Sequence, residues 1–254
     1  MKSLRVGCVK YLNARPLIRS WVGEVVLDNP ASLCARLARA DLDLALVSSF
    51  EFLRNPIYQI VDHVSISSAG PVYSVFVAHT GTIPEVEEIE IDPAAETSVN
   101  LLRCLLSEWK LAPRFSRTTK ATITRRHARL LIGDQALRFR KEHEKDLKFW
   151  DLGEQWARLV GLPFVYALWL IRPEVMQTNQ VAGRLRALRD HNLANIDELI
   201  GEETDFDPDF CRRYYRDNLR FTFAEREKEG LRAFQTLCEK HALLPQREFK
   251  IVVV

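Results

Sequence analysis

The chain has no apolar stretch near the roughly twenty residues that a transmembrane helix requires. Its first apolar run is interrupted by Arg5 and followed by Lys10 and Arg15. No membrane partner and no signal peptide are expected, and the expected location is cytoplasmic. Neither charge sign is in excess, since 36 basic and 34 acidic residues leave a formal +2. That balance removes the general reason to expect a nucleic acid or a membrane surface as partner. Cysteines are scarce and unpatterned: Cys8, Cys34, Cys104, Cys211 and Cys238 are an odd number, widely spaced, with no C-x-x-C. They read as reduced, buried thiols rather than a disulfide framework.

The signatures of several chemistries are missing too. His63, His79, His127, His143, His191 and His241 stand apart, without H-x-x-x-H or H-x-x-E-H spacing, so no metal is expected. There is no G-x-G-x-x-G, no G-x-x-x-x-G-K-[ST] and no G-x-S-x-G, so dinucleotide, nucleoside triphosphate and serine-hydrolase readings lack their local geometry. No cofactor is expected. No internal repeat or low-complexity segment is present.

What is there is strand and helix in alternation. A chain of 254 residues, 47% hydrophobic, can bury one large core or two smaller ones. Leu4 to Val9 reads as a buried strand, Glu24 to Leu27 as a second and Asp43 to Val47 as a third. A helix between the last two starts at Asn29-Pro30. Such alternation predicts a mostly parallel α/β sheet. Gly70 to Ala78 reads as one long strand, and the polar stretch 81–90, with Pro84 and four acidic residues, as a crossing between lobes. A new α/β cycle follows: strand Ile89 to Ile91, a turn at Asp92-Pro93, and a helix from Glu96 to Trp109. Pro113 to Thr118 and Ala128 to Ile132 can be strands. The long apolar strand ending at Ile171 mirrors the one at Tyr73 to Ala78, and the two together predict a two-stranded hinge. From Pro173 onward the pattern is helical, and the tail Phe249 to Val254 either pairs as a strand or frays.

Candidate site residues gather where strands end. In open α/β sheets ligands bind at the strands' carboxyl ends, where loops and helix amino termini present free polar groups. Tyr11, Asn13 and Arg15 follow the first strand, and Ser48 and Ser49 follow the third. Ser74 lies in the apolar run, and Thr97 and Ser98 fall in the first turn of a helix. Each has a plainer reading: Asn13 can bond its own backbone in an ordinary turn, and Ser48, Thr97 and Ser98 can simply cap helices. Taken as one set on loops of two lobes, the neutral donors suit a small polycarboxylate. The basic run Arg114, Arg117, Lys120, Arg125, Arg126, His127 and Arg129 raises RNA contact. It lacks aromatic interleaving beyond Phe115, and a solvated basic face is the favoured reading.

In order and spacing, several stretches resemble the chorismate dehydratases of the futalosine route to menaquinone, the MqnA branch of the MqnA/MqnD family. They are Val6-Gly7-x-Val9-x-Tyr11-Leu12-Asn13-x-x-Pro16-Leu17, Asp43 to Ser49, Gly70-x-Val72-x-Ser74-Val75 and Thr97-Ser98-x-x-Leu101-Leu102. Ile132-Gly133-Asp134-x-Ala136-Leu137, Asp151 to Trp156 and Gly161 to Trp169 continue the match, as does the stretch from Tyr214-Tyr215 to Leu237. The resemblance implies an α/β fold of the two-lobed type II periplasmic-binding-protein kind, with lobe I at 1–80 plus 172–254 and lobe II at 81–171. It implies a carbon–oxygen lyase that converts chorismate to 3-[(1-carboxyvinyl)oxy]benzoate and water without cofactor, the substrate's own enolpyruvyl carboxylate taking the proton. Asn13 would orient the substrate, and Ser48, Ser49, Ser74, Thr97 and Ser98 would hold the carboxylates. One departure stands out: Ala95-Glu96 occupies the place of an expected Ser-Arg pair. If the family's arginine contacts substrate, Glu96 would repel a dianion and Arg15, Lys10 or Arg103 would have to supply positive charge; if it only caps the helix, Glu96 does so equally well, since the dipole favours an acid there. A non-catalytic carboxylate-binding protein and an MqnD-like lyase remain as alternatives. The second would need a histidine base, and no histidine here lies in a matching motif.

Overall fold

Gly7 lets the first strand sit deep in a layer. A Cβ there would lie 2.6 Å from Leu42 and 2.9 Å from Leu33, so only hydrogen fits between β1 and its covering side chains. The computed structural model describes residues 4–92, 95–117, 122–248 and 250–254. β1 (Val6–Val9) runs into a 3-10 turn, Leu12–Leu17, and then β2 (Val25–Asp28). α1 (Pro30–Ala38) starts where the sequence signals it, because Asn29 accepts from Ser32 N at 2.9 Å and Pro30 occupies the first turn. β3 (Leu44–Ser48) passes directly into α2 (Ser49–Arg54). β4 (Gln59–Ser68) is one long strand, with His63 at φ 63° where the register slips.

After β4 the chain enters a second layer. β5 (Val75–His79), β6 (Glu88–Glu90), α3 (Glu96–Glu108), β7 (Arg114–Ser116), β8 (His127–Ile132), α4 (Gly133–His143), β9 (Lys148–Asp151) and α5 (Leu152–Val160) follow in order. β10 (Phe164–Ile171) then returns to the first layer, which α6 (Thr178–Ala194), α7 (Ile196–Gly201), α8 (Pro208–Arg213) and α9 (Glu225–Lys240) complete. The sheet orders are β2-β1-β3-β10-β4 and β7-β6-β8-β5-β9. Each has three parallel strands followed by an antiparallel one, β10 in the first sheet and β5 in the second.

Three expectations are corrected by this topology. The strands β5 and β10 belong to different sheets and do not pair, so they form no two-stranded hinge. Boundaries at 80 and 172 would cut each from its own sheet; sheet membership divides the chain as 4–68 with 164–254 against 75–151. The polar stretch 81–90 joins β5 to β6 inside the second lobe and crosses nothing. The chain crosses instead at 69–74, where Val72 N and Tyr73 N donate to the Asp151 carboxylate and Tyr73 adopts φ 68°. Backbone groups spent on a side chain cannot extend a sheet ladder, so the apolar run becomes a strand only from Val75. The tail pairs in part: Ile60 N donates to Val252 O at 2.8 Å and Val254 N to Ile60 O at 2.9 Å. Pro93 of the expected turn, Thr118 and Lys120 of the second lobe and Phe249 of the tail lie outside the described residues.

The lobes are joined by core as well as by chain. Trp156 of α5, Phe164 of β10 and Phe234 of α9 meet edge to face, with ring centroids 4.9–6.1 Å apart. Among the described residues no helix is long and apolar enough to cross a membrane.

Candidate functional site

Each sheet reverses its strand order beside the first of its three parallel strands, β1 in one and β6 in the other, and residues from both reversal points line one cavity. From the first lobe come the 3-10 turn after β1 and the start of α2 after β3. From the second come the starts of α3 after β6 and of α4 after β8. Between them lies a cavity whose walls come from both lobes. Tyr11, Asn13, Ser48, Ser74, Thr97 and Ser98 all line it, with Val9, Ile66, Val72, Ile132 and Tyr166 among its apolar and aromatic surfaces. Gly133 opens α4 at φ 61°, and a Cβ there would come within 3.0 Å of the Tyr11 ring, so glycine lets that ring lie against the helix start.

The polar groups are networked across the cleft. Ser48 and Thr97 share a hydrogen bond between their hydroxyls, one from each lobe, and Phe50 N donates to Thr97 Oγ1 at 3.3 Å. Leu12 N donates to Asp134 Oδ1 at 2.8 Å, tying the Asn13 turn to α4. Tyr214 donates to Ser74 Oγ at 2.7 Å. The Asn13 Oδ1 atom is buried and has no partner among the described residues. Burial, with Asp92 and Asp134 nearby, pushes the Tyr11 phenol up to about 12, so it stays protonated at neutral pH.

Two candidates lie elsewhere. Ser49 is fully buried and donates to Val165 O at 2.7 Å, fastening α2 to β10 rather than facing the cavity. Successive residues at a helix start point in different directions, and here Ser48 takes the cleft side. Replacing Ser49 by alanine is expected to cost about 1 kcal/mol of stability, from the lost hydroxyl bond, and to leave ligand binding unchanged. Thermal melts with and without ligand check this. Arg15 forms an ion pair with Glu203, whose side chain is fully buried, and is not part of the cavity lining. Nor do the other proposed cations line it: Lys10 is absent from the wall, and Arg103 lies 5.4 Å over the Phe115 ring.

Glu96 does line the cavity, at the position that departs from the expected Ser-Arg. Its carboxylate is met by Arg54 of α2 at 2.7 Å, and Arg54 also pairs with the buried Glu51. The charge at the rim is therefore offset from the opposite lobe. Cys34, Glu51 and Glu96 bring ligand-type atoms within 4.8 Å of one another, but the Arg54 guanidinium binds both carboxylates, so the geometry is that of an ion-pair network. With no lysine or arginine in the lining among the described residues, the helix starts, chiefly that of the thirteen-residue α3, are what offers an anion positive potential. The basic run of the second lobe is matched by the acids of 81–90: Arg125 pairs with Glu85, Arg126 with Glu87, Arg114 with Glu88 and Arg129 with Glu90. Such a compensated face gives nucleic acid little to bind.

A model of the menaquinone biosynthesis family matches residues 4–240. The chain belongs to that family. Within the menaquinone biosynthesis family framework, it is 28% identical over 257 residues to a chorismate dehydratase of Thermus thermophilus, covering 92% of this chain and 94% of the relative. Protein AF1704 of Archaeoglobus fulgidus superposes with a TM-score of 0.72 at 18% identity, over 95% of this chain and 98% of that one. The periplasmic aliphatic sulphonate binding protein SsuA of Escherichia coli superposes with a TM-score of 0.65 at 12% identity, over 97% and 89%. These likenesses show the fold: an α/β chain of two lobes of the periplasmic-binding-protein kind.

Tyr214 and Tyr166 complete the site and were not expected from sequence as contributors to it. Tyr166 sits mid-strand in an apolar run, and Tyr214 in a helical stretch with an apolar stripe. Their letters alone read as core.

Proposed function

We propose that this protein is a chorismate dehydratase, a carbon–oxygen lyase converting chorismate to 3-[(1-carboxyvinyl)oxy]benzoate and water. The observation that carries the reading is that a chain related over nearly its whole length to the Thermus enzyme encloses a cavity lined by neutral donors from both lobes. The reaction removes one ring proton and the neighbouring hydroxyl, and the benzene ring that forms makes it strongly downhill. The protein's share is then to hold the diene and exclude water rather than supply strong chemistry. Hydroxyls of Ser48, Ser74, Thr97 and Ser98 and the α3 amino terminus would receive the carboxylates, and Asn13 would orient the ring.

The proton acceptor is the substrate. Among the described residues no histidine lines the cavity, Tyr11 is protonated, and Glu96 is engaged by Arg54. The enolpyruvyl carboxylate arrives with the molecule and needs no base from the chain. No cofactor is required by this scheme. The five cysteines are all buried free thiols, which suits a reducing cytoplasm.

Purified protein mixed with chorismate should consume it well above the spontaneous rate and release an equimolar aromatic enol ether, followed by absorbance and mass spectrometry. Chorismate that raises the melting temperature yet stays intact would instead make the chain a carboxylate-binding module. Chorismate that does neither would end the proposal.

A further inference from the structure

One polar group of the cavity wall is held by a residue outside its lining. Tyr214 donates its phenol proton to Ser74 Oγ at 2.7 Å. A serine hydroxyl that accepts one bond still has its own proton to give, and Ser74 lines the cavity with no second side-chain partner among the described residues. Asn13 Oδ1, buried on the same cavity wall, has no partner among the described residues. Tyr214 itself is held firmly: it is 1% exposed, and its ring stacks on Phe210 with centroids 5.7 Å apart and planes 9° from parallel. Burial keeps the phenol well above the ordinary tyrosine range, so it remains a donor at any physiological pH.

We infer that Tyr214 is the positioning residue of this site: by donating to Ser74, its phenol turns the Ser74 hydroxyl proton toward the substrate. The cavity wall then presents an acceptor, Asn13 Oδ1, and a donor, Ser74. A ring bearing a hydroxyl and a carboxylate matches that polarity, the hydroxyl donating to Asn13 Oδ1 and the carboxylate accepting from Ser74. This deepens, and rests on, the chorismate reading above.

Tyr214→Phe keeps the ring and its stacking and removes the bond to Ser74. Its kcat/KM should fall about 10- to 100-fold, mostly in kcat, and the fall should shrink in a Ser74→Ala background because the two residues act through one group. Additive losses, or an unchanged kcat/KM, overturn the inference. Phe210→Leu serves as the stability control, since it loosens the ring without touching that bond. Turnover lost equally there would mean that Tyr214 only packs. A high-resolution structure of ligand-free Tyr214→Phe gives a readout independent of chemistry. The Ser74 rotamer should redistribute, and an unchanged rotamer overturns the positioning role. If it redistributes while wild-type protein leaves chorismate untouched, the substrate assignment falls and the positioning role stands.

Discussion

Asn13→Ala should lower kcat/KM for chorismate by about 10²- to 10³-fold, the scale seen when one group that orients a substrate or its developing charge is removed. Stability should move by no more than about 1 kcal/mol, or roughly 2–4 °C in melting temperature for a chain of this size. The asymmetry follows from what Asn13 does and does not hold. The turn that carries it is fixed by others: Leu12 N donates to Asp134, Ala14 N to Tyr11 O, and Tyr215 donates to Leu12 O at 2.9 Å. The Asn13 carbonyl oxygen is buried with no partner among the described residues, so the folded chain gains nothing from it. Left without a protein partner on a cavity wall, that acceptor is free to receive a donor from a ligand. Steady-state kinetics and thermal melts on the same preparation check the split. Equal loss in both would make Asn13 a turn former and nothing more.

Much of this site was legible in the residues because its geometry is local. A strand that stops in Asn13, or in Ser48, puts that side chain at a sheet's carboxyl end whatever the rest of the chain does. The start of α3 at Glu96 does the same for Thr97 and Ser98. Two-lobed organisation could be read from repetition of the α/β pattern. What stayed hidden depends on partners far away in sequence. Arg15 and Ser49 look as available as Asn13 and Ser48 until Glu203 and Val165 O are brought to them. The link from Tyr214 to Ser74 spans 140 residues, and no spacing rule reaches so far. The lobe crossing was misplaced for a different reason. Apolar letters at 70–74 satisfy a strand pattern, and only the Asp151 carboxylate, which takes two of that segment's N–H groups, shows why no strand forms there.

That carboxylate is the second place where one side chain decides a large quantity. Asp151→Ala should destabilise the protein by about 3 kcal/mol, which lowers the melting temperature by roughly 6–12 °C. Asp151 is 3% exposed and accepts from Val72 N at 3.0 Å, Tyr73 N at 2.7 Å and Glu154 N at 3.0 Å. It thus caps α5 and pins the segment where the chain passes between lobes; Arg140 lies 3.9 Å away and stacks on Tyr73. Alanine would leave these donors unpaired in a place water reaches poorly, and the crossing would loosen with the helix start. Asp151→Asn, which keeps one acceptor oxygen, should lose less. The pH dependence has a definite sign. Burial raises the Asp151 pKa above its ordinary value of 3.8 despite the three donors. The folded state therefore holds this proton more tightly than the unfolded chain, and its contribution to stability falls as pH rises from about 4 through the folded value. Asp134, likewise raised by burial, adds a slope of the same sign. Melting curves of wild type and Asp151→Asn across that window should therefore converge as pH rises, since only the wild type carries the Asp151 slope. A constant difference between them would show that Asp151 titrates alike in both states.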